Sequence, residues 1–230
     1  MNKDENLWDH YQTDKRDVFE QGHPRQDLLF KQIKRLLPKD ALIIEIGYGD
    51  GYLLRKLKQN GYQNLEGVDI SPKNVELSRQ KMPGIKFTLA KDELPFEDES
   101  VDCVIASEVI EHMSDEELEK FSKELNRTLK KGGYFIGSTP ANENLKKAEI
   151  FCPNCNKSFH KYGHKQSYSK EKLERTFKPL KPEIIKTYFN RYPGHNLLTK
   201  AGGYLFYIAR HTLHKIKPLE NSGWLFVFKK

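Results

Sequence analysis

The stretch Ala41-Leu42-Ile43-Ile44-Glu45-Ile46-Gly47-Tyr48-Gly49-Asp50-Gly51 decides how this chain folds. Ala41–Ile46 is apolar at every position except Glu45. Such a run suits a strand covered on both faces. Three glycines at alternate positions then stop it, because glycine alone enters left-handed backbone without steric cost. A helix is predicted over 51–60, ended by Gly61. A strand that breaks into glycines and restarts as a helix leaves backbone N–H groups open to a ligand.

Working outward, the same alternation repeats. Strands are predicted at 65–69, 84–89, 101–106 and 134–139. Ser71 and Pro72 open one helix as N-cap and first residue. Ser114 and Glu117 form a capping box for another that runs to about Lys130. Upstream, apolar residues at 28, 29, 33, 36 and 37 mark a helix over 25–37 that Pro38 stops. Helices between successive strands predict a parallel sheet covered on both faces. After Pro140 the rhythm breaks into a Cys/His cluster over 141–168, a helix at 169–177, a strand at 183–189, a basic aromatic insertion at 190–222 and a last strand at 223–229.

Two residues choose the class of ligand. A dinucleotide turn, G-x-G-x-x-G, would need glycine where Tyr52 stands. Glu45, just ahead of the turn, would repel a pyrophosphate but suits a ligand carrying a sulfonium and an ammonium group. Asp69 ends the second strand, where a carboxylate accepts hydrogen bonds from ribose hydroxyls.

With the glycine turn, Val68-Asp69-Ile70-Ser71, Leu94-Pro95-Phe96 with Ser100-Val101-Asp102, Glu108-Val109-Ile110-Glu111-His112 and Leu129-Lys130-Lys131-Gly132-Gly133 occurring in that order, residues 41–140 resemble the class I (Rossmann-like) S-adenosylmethionine-dependent methyltransferases of the small-molecule "type 11" kind. The resemblance implies a Rossmann-like, doubly wound α/β fold whose mostly parallel seven-stranded sheet has its last strand antiparallel. It implies a cofactor site of Glu45, Gly47, Tyr48, Gly49, Gly51, Asp69, Ile70 and Ser107. The acidic residue that usually reads adenine is replaced by Ala90, leaving Lys91 through its backbone or Asp92 for that contact. The organisation expected is an N-terminal helical cap or lid over 1–40, the cofactor-binding core over 41–140, the Cys/His insertion over 141–168, and a C-terminal part of the core over 169–230.

Methyl transfer from a sulfonium is an in-line displacement, helped chiefly by positioning. Glu108, Glu111 and His112 end the fourth strand and are the candidate catalytic residues, with His112 as base or orienting group. The alternative role of His112 is to cap the next helix or to close the pocket floor. Small-RNA 2′-O-methyltransferases place a divalent metal against a similar Glu-x-x-Glu-His element completed by a later histidine, a pattern matched by Glu108, Glu111, His112 and His164.

Cys152-x₂-Cys155-x₄-His160-x₃-His164 offers four zinc ligands within 13 residues. Four thiolate and imidazole ligands make a closed structural site. The spacing resembles a zinc knuckle, so structural zinc is expected there. This reading competes with the catalytic-metal reading for His164. Cys103, inside an apolar run, is expected in the core.

Charge divides the 230-residue chain unevenly. The net +7 comprises −5 over residues 1–140 and +12 over 141–230, which turns the C-terminal part toward anionic partners. The acceptor expected is a small molecule or a saccharide or lipid-linked compound. RNA is the alternative, as is a non-catalytic binding protein. Peripheral contact with a membrane also suits the 190–222 insertion. No apolar run approaches the roughly 20 residues of a membrane span, and the N-terminus lacks a signal peptide's apolar centre; a cytoplasmic protein is expected.

Overall fold

The computed structural model describes residues 8–10, 23–90, 93–189 and 222–230. The expected insertion at 190–222 lies outside these residues except for Ser222, as do Lys91, Asp92 and residues 1–7 and 11–22 of the expected N-terminal cap. After a helical turn at Trp8–His10, the elements run α1 His23–Leu36, β1 Leu42–Ile46, α2 Tyr52–Gln59, β2 Asn64–Asp69, α3 Pro72–Lys81, β3 Lys86–Leu89, β4 Val101–Ser107, α4 Asp115–Thr128, β5 Leu129–Pro140, β6 Glu149–Cys152, β7 Lys157–His160, α5 Lys170–Thr176, β8 Lys181–Phe189 and β9 Ser222–Lys229.

Seven strands form one sheet in the order β3-β2-β1-β4-β5-β9-β8. β1, β2, β3, β4 and β5 pair in parallel, whereas β9 runs antiparallel to both β5 and β8. This is the doubly wound sheet with an antiparallel last strand that the sequence led us to expect. The strand order reverses between β1 and β4, and at that point the carboxyl ends of the strands diverge to leave a crevice.

Local chemistry accounts for the element ends. The Ser71 hydroxyl accepts the Asn74 N–H at 3.1 Å and Pro72 follows it. Ser114 and Glu117 form the capping box on α4. Alternation along the central strands sorts side chains to two cores, one on each face. On one face Leu29, Ile33, Ile43, Leu53, Leu54, Leu57, Cys103 and Ile105 pack together, so Cys103 is a core residue as expected. On the other, Phe135 packs against Phe177 at 4.9 Å and Phe226 at 5.2 Å between ring centroids.

The hairpin β6–β7 had no counterpart in the sequence reading. Its two strands pair only with each other. The chain returning from it is pinned by Tyr168, whose hydroxyl donates to the Ile110 carbonyl at 3.0 Å and whose own carbonyl accepts from the Trp224 indole at 2.8 Å.

Phe135 is fully buried where four other rings and the sheet meet. Phe135→Ala is expected to lower the unfolding free energy by about 3–5 kcal/mol, through lost transfer energy and a cavity that rigid strands cannot close. Urea denaturation measures this; a loss below about 1 kcal/mol would contradict the packing described.

Candidate active site

The candidate site lies along the carboxyl edge of β1, β2 and β4. Gly47, Gly49 and Gly51 all adopt positive φ, at 61°, 55° and 75°. The Gly47 N–H donates to the Val68 carbonyl and the Gly51 N–H to the Tyr48 carbonyl, each at 2.8 Å. A Cβ on Gly47 would stand 2.8 Å from a Val109 methyl. Both backbone and space therefore require glycine there.

Tyr48 turns away from this cleft. Its ring is fully buried and packs against Phe87 at 4.9 Å. Its side chain thus belongs to the core, leaving only its backbone for the ligand role expected from sequence. Asp50 organises the turn from the other side: it accepts the Tyr52 N–H at 3.1 Å and meets His23 Nε2 at 3.1 Å and Arg55 Nη2 at 3.2 Å.

Glu45 is 1% exposed, and neither carboxylate oxygen has a hydrogen-bond partner among the described residues. Burial pushes its carboxyl group well above the usual range, and the nearby Asp50 adds to the effect while Arg55 opposes it. A cationic group of a ligand would answer both penalties.

Asp69 ends β2 with its carboxylate already oriented. Oδ1 accepts the Ser71 N–H at 2.9 Å and Oδ2 accepts the Asn74 amide at 2.8 Å. The same Asn74 amide donates to the Gly49 carbonyl at 3.1 Å, linking the glycine turn to the second strand. Asn74 was not singled out from sequence; its place in the first turn of a helix that follows an acidic strand end was the available signal. Burial lifts Asp69 to about 6 against these hydrogen bonds, with Asp9 adding to the rise. Ile70 follows it, half-buried.

The turn at Trp8–His10 crosses the cleft. Asp9 accepts the Ser71 hydroxyl at 2.5 Å and lies 3.8 Å from Lys73 Nζ. Trp8 stands edge-on to His112, with 4.8 Å between ring centroids. One short segment thus joins the Asp69 side of the cleft to the far side.

On that far side the chain leaves β4 through Glu108, at φ 56°, into a 3₁₀ turn Ile110–His112. Ser107 Oγ lies 3.2 Å from Ser138 Oγ. Glu108 accepts the Tyr188 hydroxyl at 3.2 Å and sits 3.8 Å from Arg25 Nε. Glu111 is 1% exposed; Oε2 accepts the Thr139 hydroxyl at 3.0 Å and Oε1 is unpartnered. His112 bonds the Gly163 backbone, and its Nδ1 is buried with no partner among the described residues. His164 lies against His112 at 4.8 Å, and its Nδ1 meets a Glu143 oxygen at 2.5 Å.

Ligand atoms of Glu111, His112 and His164 all lie within 4.8 Å of one another, as do those of Glu143, His160 and His164. Burial, reinforced by His164, holds His112 down at about 3, while burial and Glu108 push Glu111 up. Burial thereby favours the neutral form of His112.

The expected Cys/His knuckle does not assemble. Cys152 pairs with Lys157 at the turn end of the hairpin, whereas His160 pairs with Glu149 at its base. The two positions fall on opposite faces of the hairpin, because cross-strand partners share a face and neighbours alternate. His160 instead stacks on His164 at 4.5 Å and lies 3.4 Å from Glu143. The histidines gather with Glu143, Glu111 and His112, and the cysteines stay apart from them. Glu143 was missed because a lone glutamate after Pro140 carries no spacing signal.

A family model for a methyltransferase domain matches residues 44–137. The fold is that of class I, Rossmann-like methyltransferases. A solved 1,6-didemethyltoxoflavin N1-methyltransferase of Burkholderia thailandensis superposes with a TM-score of 0.66 at 12% identity, over 98% of this chain and 86% of that one. A phthiotriol/phenolphthiotriol dimycocerosates methyltransferase of Mycobacterium ulcerans is 36% identical over 115 residues, 46% of this chain and 40% of that protein. A 2-methyl-6-phytyl-1,4-hydroquinone methyltransferase of Synechocystis is 33% identical over 104 residues, 44% of this chain and 32% of that protein. The chain therefore spans well under half the length of these curated relatives.

Asp69 carries a pH signature with a definite sign. Its folded value of about 6 exceeds the ordinary 3.8, so between these values the folded chain binds a proton that the unfolded chain does not. This group therefore contributes stability that is full below pH 3.8 and is lost as pH rises through 6. Asp69→Ala removes the effect. The stability difference, variant minus wild type, is expected to be about 2 kcal/mol more favourable at pH 7 than at pH 4.5, as read by urea unfolding at both values. An equal difference at both would contradict the buried, raised carboxyl group.

Proposed function

We propose that this protein is an S-adenosylmethionine-dependent methyltransferase acting on a small-molecule or lipid-linked acceptor. The observation that carries the reading is Glu45, a buried carboxylate with both oxygens unpartnered beside a glycine turn. When bound, the cofactor supplies a methyl group activated by a sulfonium. Glu45 would face its ammonium group, the backbone of Gly47, Gly49 and Gly51 would line its amino-acid portion, and Asp69 would accept from the ribose hydroxyls. Asn74 keeps Asp69 and the turn in one register. Ile70 would pack on adenine, with Lys91 or Asp92 as the polar contact there and Ser107 at the edge of the site.

The acceptor would enter between Trp8, His112, Glu108 and Tyr188. The names of the two curated relatives describe acceptors of lipid or prenyl character, which favours an apolar molecule bearing a hydroxyl or ring carbon. RNA remains the alternative acceptor suggested by the basic C-terminal part.

Glu45→Gln is expected to weaken S-adenosylhomocysteine binding about 10- to 100-fold, the worth of one charge-assisted hydrogen bond, as read by calorimetry. Unchanged affinity would remove the reading. A screen of lipid, quinol and saccharide acceptors with labelled S-adenosylmethionine then identifies the substrate.

A second reading concerns metal. Three observations favour a divalent cation held by Glu111 Oε1, His112 Nδ1 and His164 Nε2. Two of these atoms are buried and unpartnered. The other ring nitrogens of the two histidines engage the Gly163 backbone and Glu143, the outer support that ligating histidines require. Thr139 steadies Glu111 in the same way. A cation would also favour the ionised form of Glu111. Two imidazoles and one carboxylate suit zinc, manganese or iron.

Metal analysis of the purified protein is expected to show metal lost in His164→Ala and kept in Cys152→Ser. The reverse pattern would restore the cysteine site, and no metal in the wild type would remove both.

A further inference from the structure

Five large apolar side chains are at least 45% exposed among the described residues, and four of them fall within 13 positions: Ile150, Phe151, Phe159 and Tyr162. Three lie on the hairpin β6–β7 and the fourth just beyond it. The hairpin is anchored at its base through His160, which stacks on His164, and a two-stranded hairpin with little else beneath it is marginal in water. Contiguous exposed apolar surface marks a place where something binds.

The register shows what kind of surface would cover it. Ile150 pairs with Phe159 across the strands and shares a face with it, while Phe151 pairs with Ser158 on the opposite face. Both faces of the hairpin thus present apolar side chains. A folded partner, or a second copy of this chain, would cover one face and leave the other in water; an interfacial layer of lipid would surround both. Charge points the same way. Lys146, Lys147, Lys157 and Lys161 are all exposed over 145–162, against a single acidic residue, Glu149, while Lys165 beyond them lies 3.4 Å from Glu117. Exposed aromatic side chains in a lysine-rich segment, with Lys161 over the Tyr162 ring, suit an anionic headgroup layer.

The hairpin base is also the rim of the candidate site. His160 closes β7 and stacks on His164, which touches His112. Whatever seats the hairpin also seats the opening beside Trp8 and His112.

We propose that β6–β7 is a lipid-docking element that seats this protein on an anionic bilayer surface, so that a membrane-dissolved or lipid-linked acceptor reaches the site without crossing water. This deepens the lipid-acceptor reading of the same site, yet vesicle binding is measured without cofactor or acceptor. Failure here leaves methyl transfer untouched, and failure of Glu45→Gln to weaken the cofactor leaves docking untouched.

The experiment is co-sedimentation of the full chain with vesicles of phosphatidylcholine containing about one third phosphatidylglycerol, and with phosphatidylcholine alone. Wild type is expected to bind the anionic vesicles and to bind the neutral ones at least tenfold more weakly. The double substitution Phe151→Asp with Phe159→Asp is expected to lose at least tenfold in affinity for the anionic vesicles, with cofactor affinity and melting temperature unchanged. Lys147→Glu with Lys161→Glu, which spares the aromatic residues, is expected to fall likewise and to lose its salt dependence. Three outcomes would overturn the proposal: no binding by wild type, equal binding by the aspartate variant, or dimerisation of wild type in sedimentation velocity that the aspartate substitutions abolish.

Discussion

Glu45, Asp69 and Glu111 stand at the ends of β1 and β2 and just past β4, each nearly inaccessible to water. Burial pushes all three carboxyl groups upward. A buried carboxylate costs several kcal/mol unless hydrogen bonds or countercharge compensate it. Here only Asp69 has donors for both oxygens, while Glu45 has none among the described residues and Glu111 has one oxygen unmet. The crevice at the reversal of strand order is therefore built around missing positive charge. That single deficit underlies both halves of the proposed chemistry: a sulfonium cofactor with an ammonium group beside Glu45, and a cation between Glu111, His112 and His164.

The two halves are held by different kinds of structure. The cofactor half rests on regular elements, with Asn74 at the start of α3 reaching both Gly49 and Asp69. The acceptor half depends on chain returning from the hairpin. Lys165 and Gln166 donate their N–H groups to the Glu111 carbonyl at 2.7 and 2.9 Å, and Gln166 reaches Asp115 at the start of α4. That double attachment positions His164 against His112 and turns the 3₁₀ turn into one wall of the opening. Trp8 and Asp9 close over both halves, so an element far away in sequence completes the cleft.

Placing the hairpin at the rim gives the uneven charge of the chain a physical use. Exposed lysines of the hairpin segment, close to the opening at Trp8 and His112, would suit an acceptor held at an anionic surface. Among the described residues no helix is long and apolar enough to cross a membrane.

The sequence by itself determined the sheet. Ala41–Ile46, Val101–Ala106 and the other apolar runs can be covered only between layers, and the Ser71-Pro72 and Ser114-x-x-Glu117 starts admit little but helices. Gly47, Gly49, Gly51 and Asp69 were legible for the same reason: each answers a local backbone or strand-end requirement that spacing expresses. What lay outside that reach depended on which face a side chain took. Tyr48 sits among the glycines of the turn yet points into the core. Cys152 and His160 are eight residues apart, and spacing alone united them in a knuckle; strand pairing put them on opposite faces of a hairpin that the sequence did not reveal. Glu143 carried no signal in sequence and Asn74 only a faint one, because each acts on residues brought near it by the fold. Local sequence carried the backbone's course, since it is set by propensity and burial along the chain. Only tertiary structure decided which buried charges met a partner, since that depends on residues far apart in sequence.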